Sequence, residues 1–273
     1  MFAFLSNFLQ LKQIRLFSAL PLEACRIRKP YLLERSGISH GSVLIFAVPY
    51  LTPDAMRYDR NLSSYAVSRD YHLFFQNLFD ELIPTFEKAF PNTRIAGFAD
   101  HSPIDEVHAA ALAGLGVIGE NGLLITEEYS SYVFLGALFV EAELNGKATE
   151  LRFCEGCGKC RASCPAQEGT CLSDLTQKKG ALTPDEVARL SSHPLIWGCD
   201  VCQEVCPHTA HALEYRSIYT PIPYFYEQTI PRLDWKILNG MDADTFSCRA
   251  YAWRGRAVIE RNLQFTEKGD SPC

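Results

Sequence analysis

The residues of this chain with the most distinctive chemistry are its cysteines. Eight of the eleven fall between Cys154 and Cys206, spaced Cys154-x2-Cys157-x2-Cys160-x3-Cys164-Pro165, then Cys171, then Cys199-x2-Cys202-x3-Cys206-Pro207. A [4Fe–4S] cube needs four converging thiolates, and Cys-x2-Cys-x2-Cys lets one tight turn supply three of them. In proteins with two such cubes, the Pro-flanked cysteine that ends each run ligates the other cube. That rule assigns Cys154, Cys157, Cys160 and Cys206 to one cube and Cys164, Cys199 and Cys202 to the other. Cys171 is the nearest candidate for the missing eighth ligand. Zinc sites read instead as separated Cys-x2-Cys pairs closing on one metal. Disulfides are disfavoured in the reducing compartment that thiolate clusters imply, so the expected location is cytoplasmic.

These ligands need a folded protein around them, and the bulk composition supplies one. At 273 residues with 47% hydrophobic content the chain can bury a real core. Lys and Arg number 26 against 32 Asp and Glu, a formal charge of −6 that excludes a strongly basic nucleic-acid footprint overall. Arg249, Arg254, Arg256 and Arg261 are the local exception; at helical spacing they could meet a phosphate backbone or form an ordinary solvated face. The first twenty residues are apolar but broken by Lys12 and Arg15, which rules out an uninterrupted span. They lack the layout of a secretory signal. We read them as an amphipathic helix packed on the domain, with a peripheral membrane contact as the alternative.

Periodicity orders the rest. Residues 41–50 read as a buried strand, 71–90 as a helix stopped by Pro91-Asn92, 94–100 as a strand ending on Asp100, and 105–113 as an Ala-rich helix closed by Gly114. Strands at 122–126 and 132–144 complete an α/β unit of mixed order, a sheet with packed helices. Composition shifts at Asn145-Gly146-Lys147 into a loop-rich cysteine segment, and a helix is expected over 243–263. The expected division is therefore an α/β domain over 1–148, a bacterial-ferredoxin-like double-cluster domain over 149–210 and a short helical tail over 211–273.

Upstream of the cysteines stand Ser64-Tyr65-Ala66, Arg69-Asp70-Tyr71-His72, Phe98-Ala99-Asp100, Ala113-Gly114-Leu115-Gly116-Val117-Ile118-Gly119 and Tyr132-Val133-Phe134-Leu135-Gly136. In this order, and with Cys171-Leu172-Ser173 and Gly198-Cys199-Asp200 downstream, they resemble the epoxyqueuosine reductase family from about residue 41 to 210 and more loosely to about 263. The resemblance implies an iron–sulfur, cobalamin-dependent reductase that deoxygenates epoxyqueuosine in tRNA to queuosine, taking electrons from a donor such as flavodoxin or ferredoxin. It implies a general acid at Asp100 and corrin contacts at Tyr65, Arg69, His72, Gly114, Gly116 and Gly119. It also implies a corrin bound without a histidine on cobalt, which argues against His101 as a ligand. Removing an epoxide oxygen needs a proton at that oxygen, which suits a carboxylic acid kept neutral by its surroundings. The plainer reading of Asp100 is a cap for the helix entered near Pro103.

The glycine turn spells Gly-x-Gly-x-x-Gly, but it follows a helix and precedes a strand, the reverse of the dinucleotide fingerprint. We therefore expect a tight turn approached closely by the corrin. Two cations of the family pattern are absent, with Val107 and Glu120 in their places, and the C-terminal helical-repeat domain of longer members is expected to be missing. Both departures bear on tRNA binding. Cys25, Cys248 and Cys273 lie outside the cluster spacing and read as unligated thiols. The competing functions are a ferredoxin-like electron-transfer protein and a corrinoid-reducing protein without tRNA activity.

Overall fold

The computed structural model describes residues 1–166, 169–215 and 218–266. They group into two compact units, each built from three stretches of chain: 1–50, 74–157 and 207–222 form the first, and 51–73, 158–206 and 223–273 the second.

The first unit is organised by a four-stranded sheet. Helix α1 (Phe2–Leu11) leads into β1 (Leu16–Pro21), then α2 (Pro30–Ser36), β2 (Ser42–Pro49), α3 (Tyr71–Ala89), β3 (Ile95–Ala99), α4 (Glu106–Leu112), β4 (Val117–Ile118), β5 (Leu124–Ile125) and β6 (Val133–Val140). The sheet order is β1-β2-β6-β3 with every pairing antiparallel, while β4 and β5 form a separate two-stranded ribbon. The expected helix over the first twenty residues ends at Leu11. After it, Leu16–Pro21 pairs with β2, because a strand with buried faces must be flanked on both edges and β2 lies inside the sheet.

β2 is buried at all eight positions, so alternate side chains serve opposite faces. Val43 and Ile45 join a cluster with Ala109, Ala110 and Ala111 of α4 and with Phe139. Phe46 points the other way, its ring 5.9 Å from that of Phe75. α3 buries Phe75, Leu78, Leu82 and Phe86, one helical stripe. It lies close because Gly136 has no side chain where the Phe46 and Phe75 rings sit. Each such buried aromatic or aliphatic side chain contributes roughly 1.5–3 kcal/mol.

The second unit is loop-rich, as the cysteine segment predicts. Its helices are α5 (Lys159–Ala162), α6 (Leu172–Gln177), α7 (Pro184–Ser191), α8 (Val201–Glu204), α10 (Trp235–Gly240), α11 (Ala243–Ser247) and α12 (Arg256–Thr266); α9 (Pro207–Tyr215) belongs to the first unit. The helix expected over 243–263 is broken, with a 3-10 turn at Ala252–Arg254 and Gly255 at φ 89° between α11 and α12. Trp197, fully buried against Tyr251, centres this unit's core. Asn262 on α12 donates to the carbonyls of Thr176 and Ile196 at 2.7 and 2.8 Å, tying the helix to the chain entering Cys199. No helix among the described residues is long and apolar enough to cross a membrane.

Candidate active site

Asp100 stands where β3, an edge strand, ends. Its φ is 62°, and the His101 amide donates to the Ala99 carbonyl at 2.7 Å. A hydrogen bond spanning two residues around a positive-φ centre is the rare, strained form of the γ-turn. A non-glycine residue held in such a conformation needs the surrounding structure to impose it, and strain of this kind gathers at functional sites. The capping role that the sequence allowed Asp100 belongs instead to Asp105, whose carboxylate accepts the His108 amide at 3.1 Å and opens α4 at Glu106. Asp100 itself is exposed.

Beside it lies Glu106, which the sequence reading missed. The Asp100 backbone amide hydrogen-bonds its carboxylate. Glu106 Oε1 is sealed from solvent with no partner. Burial first, and then the neighbouring Asp100 carboxylate, push the Glu106 carboxyl up to about 8. Only the two-carboxylate spacing Asp100-x5-Glu106 around Pro103 could have signalled this pair, and that spacing matches no helical or strand period.

The segment before α2 closes over the same turn. Ile27 bridges Ile104, the Arg28 and Lys29 amides donate to the Pro103 carbonyl at 2.7 and 3.0 Å, and Asp105 N–H donates to the Arg26 carbonyl at 2.9 Å. These bonds deliver Arg28 to Asp105 at 2.8 Å and set Lys29 near Glu106, where its charge favours the carboxylate form. Lys29 Nζ lies 2.9 Å from His101 Nδ1 and Tyr31 Oη lies 3.1 Å from Nε2. An ammonium only donates, so Nδ1 accepts and Nε2 carries the proton donated to Tyr31. Both ring nitrogens of His101 are thus engaged.

The three glycines divide. Gly114, at φ 80°, ends α4 in a Schellman arrangement: Leu115 N–H reaches the Ala110 carbonyl and Gly114 N–H the Ala111 carbonyl, both at 3.0 Å. A Cβ on Gly116 would sit 2.3 Å from the Ile125 carbonyl oxygen, and one on Gly119 would sit 2.4 Å from Asn121 Oδ1. The close approach read from the sequence exists, but it is an approach of the chain's own β5 and its turn. Gly114 is the open one of the three: the nearest atom to a Cβ there belongs to Thr149, at 3.8 Å. Val107 packs on the cluster beneath α4, so an arginine would not fit its present orientation.

Tyr65, Arg69 and His72 belong to the second unit. Trp197 Nε1 donates to Tyr65 Oη at 2.7 Å, the Tyr65 ring meets Tyr71 edge-on, and Tyr71 stacks on His72 at 4.1 Å. Asp70 Oδ1 binds His72 Nδ1 at 2.8 Å. The Arg69 guanidinium lies over Tyr224 and 3.6 Å from Glu227, yet its Nε is buried with no acceptor. That orphaned donor is the feature of this cluster that suits a group bringing an acceptor, such as a corrin side-chain amide or phosphate.

The cysteines are placed within each unit. Ten of them, Cys25 through Cys248, form no disulfide; Cys273 lies outside the described residues. In the first unit Cys154 Sγ accepts the Glu120 amide at 3.3 Å, the kind of bond that stabilises a thiolate ligand, so residue 120 serves here through its backbone whatever its side chain. In the second unit Cys160 rides on α5, Cys171 precedes α6, and Cys199 and Cys202 flank Asp200 at the start of α8, with Cys164 and Cys206 each ending a run before proline. Burial, followed by the nearby Asp200, Cys171 and Cys202 side chains, pushes the Cys199 thiol up to about 12. Cys171, Cys199 and Cys202 therefore share one electrostatic neighbourhood, a donor set of the type iron–sulfur clusters take. No three His, Cys, Asp or Glu among the described residues converge on a single-ion site; a cube spaces its ligands at separate corners. Cys25 is a core thiol pushed up to about 12 by burial, and Cys248 ends α11.

Asp200, quoted in the sequence motif without a role, is fully buried. It accepts Ser63 Oγ–H at 2.6 Å and Ser64 N–H at 2.7 Å, and pairs with Arg60 at 2.9 Å; Arg60 also contacts Glu204. This network fixes the Cys199–Cys202 loop. The arginine face imagined near the C-terminus is not assembled. Arg249 is buried on the carbonyls of Val67 and Gln228, Arg261 binds those of Lys178 and Gly180, Arg256 pairs with Glu260, and Arg254 stacks on Trp253.

No family model matches the chain. It is 31% identical over 225 residues to the epoxyqueuosine reductase of Lactococcus garvieae, covering 78% of this chain and 63% of the relative, so it spans less than two thirds of that protein's length. To the epoxyqueuosine reductase of Synechocystis it is 31% identical over 239 residues, covering 82% of each. The fold matches a solved epoxyqueuosine reductase holding an epoxyqueuosine-modified tRNA stem loop, with a TM-score of 0.73 at 20% identity over 97% of this chain and 81% of that one. On the strength of the identity and coverage shared with these relatives, the chain belongs to the epoxyqueuosine reductase family.

Proposed function

We propose that this chain reduces epoxyqueuosine in tRNA to queuosine, with two [4Fe–4S] clusters on Cys154, Cys157, Cys160 and Cys206 and on Cys164, Cys171, Cys199 and Cys202. The observation that carries the proposal is the strained turn at Asp100 with its carboxyl partner Glu106, in a chain that also bears eight cluster cysteines. An electron carrier has no use for a coupled pair of acids. A reaction that expels an epoxide oxygen does, because that oxygen leaves only when protonated.

Cobalamin, when bound, supplies the low-valent metal that delivers electrons to the epoxide carbon. Arg69, with its orphaned buried Nε, and the Tyr65–Tyr71–His72 cluster are the residues that would hold it. Asp100 gives its proton to the departing oxygen. Lys29, held on His101, sets a positive charge near the acid pair, the same sign as the cation missing at Val107. The substrate RNA is the class of molecule that the solved relative holds. The ferredoxin-like character of the cysteine segment and a flavodoxin- or ferredoxin-type electron donor belong to the same proposal.

The test is anaerobic turnover of an epoxyqueuosine-containing anticodon stem-loop with cobalamin and a chemical reductant, read by nucleoside mass spectrometry. Queuosine should appear, and Asp100→Asn should lower kcat by ~10²–10⁴ while leaving cobalamin binding and ~8 iron atoms per chain in place. Full cluster and cobalamin loading without queuosine would overturn the substrate assignment. Iron near four per chain, or zinc in its place, would overturn the cluster assignment.

A further inference from the structure

The reaction just proposed consumes two protons, and the inference here rests on that reading. The balance is epoxide + 2 e⁻ + 2 H⁺ → alkene + H₂O: two C–O bonds break, one C=C bond forms, and the oxygen leaves as water. The electrons come from a low-potential one-electron donor by way of the clusters. A single carboxylic acid holds one proton at a time. Asp100 is exposed at the end of an edge strand, whereas Glu106 beside it is half-buried with one oxygen shut off from solvent and unpartnered. The Asp100 amide hydrogen-bonds the Glu106 carboxylate, so the two residues are physically joined as well as electrostatically coupled.

We propose that Glu106 is the proton store of the Asp100 acid: shut off from solvent at one oxygen, it holds a proton and passes it to Asp100, which delivers it to the departing oxygen, and the second proton enters from water through the exposed Asp100. Glu106 touches no substrate and acts through its neighbour. The groups facing it come from three elements: Asp100 from the end of β3, Lys29 from the segment before α2, and Asp105, bound to Arg28, from the cap of its own helix. Asp100 and Asp105 favour the protonated form and Lys29 opposes it. His108, one turn on, has its Nδ1 buried without a partner and its own proton affinity lowered, chiefly by burial, so it does not compete for the proton. Burial of Glu106 decides the balance, since a carboxylate with an unsatisfied buried oxygen is costlier than the neutral acid.

The experiment is an infrared pH titration of the cluster-loaded chain between pH 5 and 10, comparing wild type, Glu106→Gln and Asp100→Asn. The wild type should show a protonated-carboxyl band that persists above pH 7 and titrates near pH 8, and Glu106→Gln should lack it. Asp100→Asn should move its midpoint down, because the adjacent negative charge is gone. That shift reads the coupling without any turnover. In the kinetic arm, the wild-type rate should fall above about pH 8, and Glu106→Gln should abolish that limb while lowering kcat by about tenfold at unchanged KM, less than a directly acting acid is worth. Glu106→Asp should recover part of the rate. Absence of the band in wild type, its survival in Glu106→Gln, or an unmoved midpoint in Asp100→Asn would overturn the proton store while leaving the reaction intact. Correct band behaviour with no queuosine formed would support the store and overturn the reaction instead.

Discussion

Two carboxylates, one in each unit, are withdrawn from water in opposite ways. Asp200 is fully buried and is met by donors: two serine hydroxyls, a backbone amide, the Gln203 side-chain amide and the Arg60 guanidinium. Glu106 is half-buried, and its sealed oxygen has nothing. The difference separates a structural anion from a chemical one. A buried carboxylate surrounded by donors is fixed in place and in charge, whereas one denied them keeps its proton and can give it away. The satisfied carboxylate sits between Cys199 and Cys202, the proposed cluster ligands, where immobility is the requirement. The unsatisfied one sits beside the strained turn, where the proposed proton store needs a proton that can move.

Removing Asp200 should sharpen this contrast most. Asp200→Ala leaves Arg60 buried with only Glu204 for a counter-charge, and breaking one side of a buried pair typically costs about 3–5 kcal/mol. Denaturant titration of the anaerobic protein measures it, and iron should be lost from the Cys199–Cys202 loop first. The double change Arg60→Met with Asp200→Ala should cost less than Asp200→Ala alone, because no orphaned charge remains. Equal losses in the single and double variants would mean that the network holds the loop by shape rather than by charge.

Glu106→Gln should act in the opposite direction, and its effect should depend on pH. The folded-state proton affinity of Glu106 is raised to about 8, so between the ordinary carboxylate range and pH 8 the folded chain keeps a proton that the unfolded chain has released. Wild-type stability therefore declines with rising pH across that window. A glutamine has no proton to lose. The variant should gain on the wild type as pH rises from 5 to 8, with the gap levelling off above 8. A gap constant with pH would remove the argument that burial holds the proton.

The sequence showed the principal strands and the strand end at Asp100, because those depend on spacing and local periodicity; 43–48, for example, is an unbroken apolar run. It concealed whatever depends on distant segments meeting. β1 read as a helical continuation because Leu16–Pro21 becomes a strand only by pairing with β2. Lys29 reaches the acid turn through backbone bonds to Pro103, more than seventy residues away. Gly116 and Gly119 signalled a close approach correctly, but a sequence does not say whose atoms approach, and here they belong to Asn121 and Ile125. The arginines from 249 to 261 looked like a face until the break at Gly255 put them on different turns.

The smallest expected effect separates Asp105 from Asp100. Asp105 caps α4 through the His108 amide and binds Arg28, so its carboxylate belongs with the structural kind even though it lies next to Glu106. Asp105→Asn should cost a few tenths of a kcal/mol at most, since asparagine caps nearly as well, and Asp105→Ala about 1 kcal/mol. Both should leave the rate of queuosine formation within a few-fold of wild type, because neither touches the strained turn. The alkaline limb of the rate profile should move slightly down in pH, since a nearby negative charge that favours protonated Glu106 has gone. A loss of turnover in Asp105→Asn as large as that in Asp100→Asn would shift the catalytic assignment five residues along the chain. Unchanged turnover with a lowered thermal midpoint would confine Asp105 to the cap and leave proton delivery to Asp100 and Glu106.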